Sequence, residues 1–155
     1  MKDEILHKIK SSIQENQSHL QKIKRAKDLL KDLFPANVNS FQAFSSQEIG
    51  HIDQFIYRFT KMQDSLGMRL IPALYSWLEG DTTPKPFLDI MNRLEKLEII
   101  DSVDDWQFFR NLRNNLAHDY PESLMQTIET LNLLYEEIEK FLLIFQQLKQ
   151  AWEKR

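Results

Sequence analysis

Residues 124–152 read LMQTIETLNLLYEEIEKFLLIFQQLKQAW, and this stretch decides the fold. Leu124, Ile128, Leu131, Tyr135, Ile138, Leu142 and Phe145 step by four and three in turn, with Trp152 seven further on. Such spacing keeps an apolar line on one side of an α-helix, the seam along which the helices of a bundle meet. Leu134, Phe141 and Leu148 add a second line at steps of seven. The combined arc is wide enough to touch more than one neighbouring helix, or a partner subunit. At about 1.5 Å per residue this helix spans roughly 50 Å, and helices of that length joined by short loops form an antiparallel bundle.

The same periodicity recurs upstream. Ile5, Ile9, Ile13, Leu20, Ile23, Leu30 and Phe34 mark a helix from about Lys2 to Phe34, stopped by Pro35. A second helix starts at Ser45, where Ser45 and Glu48 stand in capping-box relation. It carries Ile49, Ile52, Phe55, Ile56, Phe59, Met62, Leu66 and Leu70 and runs on to about Leu78. Gly67 and Pro72 inside that pattern predict a kink or short break. A third segment starts at Pro84 or Pro86 and ends near Leu97, with proline in its first turn. A fourth covers Val103 to His118, and Pro121 opens the last. Residues 35–44 and 80–86 read as loops. The expected architecture is all-α: an antiparallel four- to five-helix bundle in a single domain, residues 1–155.

Composition agrees and narrows the function. The 155 residues hold only 3 Gly and 5 Pro, 42% apolar side chains and 28% charged ones, as a helical domain with a sizeable core requires. There is no cysteine, hence no disulfide framework, thiolate nucleophile or Cys-bound metal. The longest fully apolar run, Phe141–Phe145, is far short of the roughly 20 residues a bilayer demands. The charged start, MKDEILHKIK, does not read as a signal peptide, so a cytoplasmic chain without membrane contact is expected. A net charge of −3 argues against nonspecific coating of nucleic acid, which works by neutralising many phosphates. A local basic site remains compatible with it.

Of the four histidines, His7, His19 and His51 sit in long helices without ligand-spaced partners and read as partly exposed helix residues. His118 differs. Its surroundings are Arg110-Asn111-Leu112-Arg113-Asn114-Asn115-Leu116-Ala117-His118-Asp119-Tyr120-Pro121. Asparagines compete for backbone hydrogen bonds and make a poor helix interior, yet Phe109, Leu112 and Leu116 keep the apolar period. On a helix, Asn111, Asn114, Asn115 and His118 form a polar stripe beside Arg110 and Arg113. A frayed helix end with ordinary Asn caps is the plain alternative.

Arg113, four residues, His118, one residue, Tyr120 resembles the arginine–histidine–tyrosine motif of the HEPN superfamily. More narrowly, the chain resembles HepT-type toxins encoded beside small nucleotidyltransferase antitoxins. Asn114 stands where those proteins often carry a polar residue, and the motif precedes the last long helix, as in the family. The resemblance implies a HEPN-like bundle of the nucleotidyltransferase substrate-binding-subunit type and a metal-independent endoribonuclease without cofactor. The RNA 2′-OH would attack the adjacent phosphate and the 5′ oxygen would leave, which DNA does not allow. Arg113 would hold the phosphate, His118 would move a proton, and Asn114 would orient the imidazole or bind phosphate. Acid and base call for two groups, so the resemblance implies a homodimer pooling two copies of the motif. Tyr120 would be the hydroxyl to which the nucleotidyltransferase antitoxin adds AMP, placing bulk and negative charge beside the phosphate site.

Arg58, Lys61, Asp64 and Arg69 on the second helix, with Arg110, are candidates to line that cleft; Asp64 is placed to anchor Arg113 or polarise His118. A solvated helix face is the plain reading of each. Trp77, Trp106 and Trp152 read as core or interface residues. Two other functions stay open: a non-enzymatic bundle that binds nucleotide or substrate for a separate nucleotidyltransferase, and a helical dimerisation module whose asparagines merely cap a helix.

Overall fold

The computed structural model describes residues 2–117 and 123–154. Among them there are helices and no strand. The order is α1 (Lys2–Leu29), α2 (Val38–Gln42), α3 (Ser46–Ser65), a π-helical turn (Leu66–Leu70), α4 (Ile71–Glu79), α5 (Phe87–Lys96), α6 (Val103–Leu116) and α7 (Leu124–Glu153). An all-α bundle is therefore what the chain forms. No helix among the described residues is long and apolar enough to cross a membrane.

α1 packs chiefly on α3, the π turn and α4, and α6 packs on α7 and α3. α1 and α3 run antiparallel: His19 meets Arg58, Asn16 meets Ser65 and Ser11 meets Arg69. Both apolar lines of α7 are used, since Leu131, Ile138, Leu142 and Phe145 are buried together with Leu134, Phe141 and Leu148. At the centre, the ring of Phe59 meets the rings of Phe109 and Phe141 edge-on, joining α3, α6 and α7. Trp106 is fully buried, and Trp77 and Trp152 pack in a T-shape with ring centroids 4.7 Å apart.

Helix boundaries depart from the periodicity in three places. α1 ends at Leu29, and Leu30–Leu33 close as turns before Pro35. α7 fixes that corner: Asn132 both accepts from the Ala36 amide and donates to its carbonyl, at 2.8 and 2.9 Å, while Tyr135 stacks on Phe34. The expected loop 35–44 contains the short helix α2, started by a reciprocal cap between Asn37 and Ser40. The kink expected near Gly67 and Pro72 is instead the π turn, and the chain passes from α3 into α4 without a break. There the amide of Ile71 reaches back to the carbonyl of Leu66, one residue further than in an α-helix. The wider turn accommodates Pro72, which has no N–H to offer, at the start of α4. The Ser45–Glu48 capping box forms as its sequence spacing predicts.

Candidate functional site

The π turn divides the side chains around it between two faces. Ser65 and Arg69 point to α1. Gln63, Asp64, Gly67 and Met68 line a groove of about 400 Å³ against α5 and α6, completed by Phe87, Trp106, Arg110, Arg113 and Asn114. This is where the candidate arginine lies.

Arg113 is held there by α3. Its Nε donates to Asp64 Oδ1 at 3.1 Å and its Nη2 donates to Asp64 Oδ2 at 3.0 Å. This two-point pairing fixes the plane of the guanidinium as well as its position. A guanidinium carries five N–H donors, so two go to Asp64 and the rest stay uncommitted to it. The pair is partly open to solvent, with the Arg113 side chain 27% and the Asp64 side chain 40% exposed. With Arg110 alongside, the groove carries two cations and one carboxylate, a net positive charge on a chain that is net negative.

Asn111, Asn114 and Asn115 are all exposed on α6 at the spacing of one helix face, but they do not share one groove. Asn114 lines the groove with Arg110 and Arg113, whereas Asn115 lines a second groove with Ser123, Gln126, Thr127, Thr130 and Leu133 of α7 and its approach. Asn111 is exposed and borders neither. α6 ends at Leu116, capped at Ala117. His118 and Tyr120 lie outside the described residues.

Three of the candidate cleft cations, Arg58, Lys61 and Arg69, do not line the groove. Arg58 faces α1, where its Nη1 donates to His19 Nδ1 at 3.3 Å. Lys61 is exposed, its ammonium 5.6 Å from the Tyr57 ring centre, and it does not line the groove. Arg69 is likewise drawn to α1, by Glu15 and by Ser11 Oγ at 2.9 Å. The physical reason is helical phase, because Arg58, Ser65 and Arg69 share the α1 side while Asp64 and Gly67 share the α6 side.

His19 is buried, contrary to its reading as a partly exposed residue. Its Nε2 is 3.2 Å from Glu15 Oε2, and Arg58 donates to Nδ1, an arrangement that suits the neutral ring with its proton on Nε2. Burial pushes the His19 pKa below its ordinary value, outweighing the Glu15 carboxylate that pulls it up.

Gln63 was not singled out by the sequence, since a lone glutamine between apolar positions carries no signal of its own. It is only 3% exposed, yet it lines the groove. Gly67 lets the π turn and the indole approach closely: a Cβ there would sit 3.2 Å from Trp106 Cζ2, tighter than ordinary contact. Among the described residues no three His, Asp or Glu side chains gather as a metal site would require. Compared with known proteins, the chain matches no family model, no curated protein and no solved structure.

Proposed function

We propose that this chain is a HEPN-type endoribonuclease, the toxin of a pair whose antitoxin is a small nucleotidyltransferase. The observation that supports it is the guanidinium of Arg113, held at two points by Asp64 in a positively charged groove with Arg110 and Asn114. A phosphodiester seated there would have its non-bridging oxygens met by guanidinium donors already oriented, and preorganised donors stabilise the charge that grows as phosphorus becomes five-coordinate.

His118, five positions after Arg113 in sequence, moves the protons in this reading. One imidazole takes the proton of the 2′-OH as its oxygen bonds to phosphorus. The bond from phosphorus to the 5′ oxygen breaks, and a second imidazole, protonated, gives its proton to that oxygen. The products are a 2′,3′-cyclic phosphate and a 5′-OH. The second imidazole comes from a two-fold partner copy, so the active unit is a homodimer. In the same proposal the antitoxin attaches AMP to the Tyr120 hydroxyl. The hydroxyl oxygen bonds to the α-phosphorus of ATP, pyrophosphate leaves and the phenolic proton is lost. The added phosphate then repels RNA from the groove.

A second reading, a non-enzymatic nucleotide-binding subunit for a nucleotidyltransferase, draws support from the same groove, whose volume suits one nucleotide and whose arginine is already half neutralised by Asp64. Expression of the chain alone separates the two. Growth arrest with RNA decay, abolished by Arg113→Ala or His118→Ala, supports the ribonuclease. Nucleotide binding without any RNA decay supports the subunit.

A further inference from the structure

The groove contains more than a phosphate site needs. Gln63, only 3% exposed as a residue, lines it, and its side-chain amide makes no hydrogen bond to any described residue. The amide is not sealed from water, so it faces the open space of the groove, whereas the indole Nε1 of Trp106, in the same groove, is fully buried and has no partner among the described residues. The groove also has apolar lining: Phe87, the buried indole of Trp106 and Met68, which is 78% exposed. Gly67 adds no side chain, so the indole and the helix backbone approach closely and the space above them stays open. Arg110, Arg113 and Asn114 of α6 line the same groove.

Each requirement of this site narrows the ligand. The amide offers a donor and an acceptor side by side, and the edge of each nucleobase answers them with its own order of donors and acceptors. The aromatic and thioether walls ask for a flat, weakly polar body. The arginines ask for an anion on the same molecule. A free phosphate meets only the last requirement, and an acidic peptide side chain has no flat body.

We infer that the groove between α3 and α6 is a nucleobase pocket, in which Gln63 reads the edge of the base adjoining the scissile phosphate while Arg110 and Arg113 hold that phosphate. This deepens the ribonuclease proposal and rests on it for the nature of the substrate. It makes cleavage base-selective, and it assigns the selectivity to a residue distinct from the motif that carries the chemistry.

The test uses the full chain in two separate arms. In the first, binding of the four nucleoside 3′-monophosphates is measured by calorimetry for the native chain, Gln63→Leu and Gln63→Glu. The expected result is a spread of at least tenfold among the four bases for the native chain, collapsing to threefold or less in Gln63→Leu. Gln63→Glu keeps the shape but replaces the donor with an acceptor, and the favoured base is expected to change. In the second arm, an RNA with randomised positions is cleaved and the products are sequenced, with Arg113→Ala as the control for the chemistry. Native binding that is equal for all four bases, or a spread that survives in both Gln63 variants, overturns the pocket. Selective binding governed by Gln63 with no RNA cleavage by the native chain upholds the pocket and overturns the ribonuclease reading. Cleavage lost in Arg113→Ala, with base preference unmoved by either Gln63 variant, does the reverse.

Discussion

Arg113 and Asp64, 49 positions apart in sequence, are joined by two parallel hydrogen bonds of 3.1 and 3.0 Å. The pair ties the last turns of α6 to the end of α3, immediately before the π turn. Because both side chains are partly solvated, its value for stability is small; pairs of this kind contribute at most about 1 kcal/mol. In the proposed ribonuclease its value would be directional, since a guanidinium held at two points has one plane in which to meet a phosphate.

Asp64→Ala is therefore expected to leave the fold intact and impair the chemistry. The midpoint of denaturant unfolding should move by no more than about 1 kcal/mol of stability. RNA cleavage should fall roughly tenfold or more, as the loss of a positioning contact does, with the weaker effect in Asp64→Asn, which keeps one acceptor. Cleavage unchanged in Asp64→Ala would mean that Arg113 needs no anchor.

Two glycines make a paired prediction about packing. Gly50 is exposed on α3 with open space around a Cβ, so Gly50→Ala should stabilise by about 0.5–1 kcal/mol through helix propensity. Gly67→Ala gains the same propensity but drives a methyl against the buried Trp106 indole, at 3.2 Å. Overpacking commonly costs about 1–3 kcal/mol, so the net effect should be destabilising. Urea unfolding of both variants checks the contrast, and a stabilised Gly67→Ala would show that the indole gives way freely.

His19 predicts a pH dependence of stability. Its folded-state pKa lies below the ordinary value of 6.5, burial being the largest cause, with Arg58 and Lys22 adding to it and Glu15 opposing. Below pH 6.5 the unfolded chain takes up a proton on this ring more readily than the folded chain does, so stability is lost as pH falls from about 6.5 through the lower folded value. Unfolding measured at pH 7.5 and 5.5 should show this loss in the native chain and a smaller one in His19→Gln. An equal loss in both would assign the effect to other groups.

How much of this was legible in the sequence depends on whether a residue's partner lies on its own helix. The Ser45–Glu48 cap and the two apolar lines of α7 are local patterns, and they form as read. Asp64 stood out as an anchor for Arg113 only because opposite charges were available, and the bundle does bring them together. His19 and Arg58 looked like surface residues because their own helices are polar around them; the burial comes from α1 pressing on α3. The π turn was invisible beyond the hint of Gly67 and Pro72, since its extra residue shows only in the phase between Asp64, which faces α6, and Arg69, which faces α1. Gln63 gave no signal, because an isolated amide acquires meaning only from the walls around it. Short α2 was available in principle, in the reciprocal spacing of Asn37 and Ser40.

The most direct measurement is single-turnover cleavage of a short RNA, and of the same RNA with a 2′-deoxy sugar at the cut site, in EDTA. The native chain should cut the first, leaving a 2′,3′-cyclic phosphate, and spare the second; Arg113→Ala, folded as judged by its melting curve, should cut neither. Equal cleavage of both RNAs, or native-level cleavage by Arg113→Ala, would contradict 2′-OH attack at a phosphate held by Arg113.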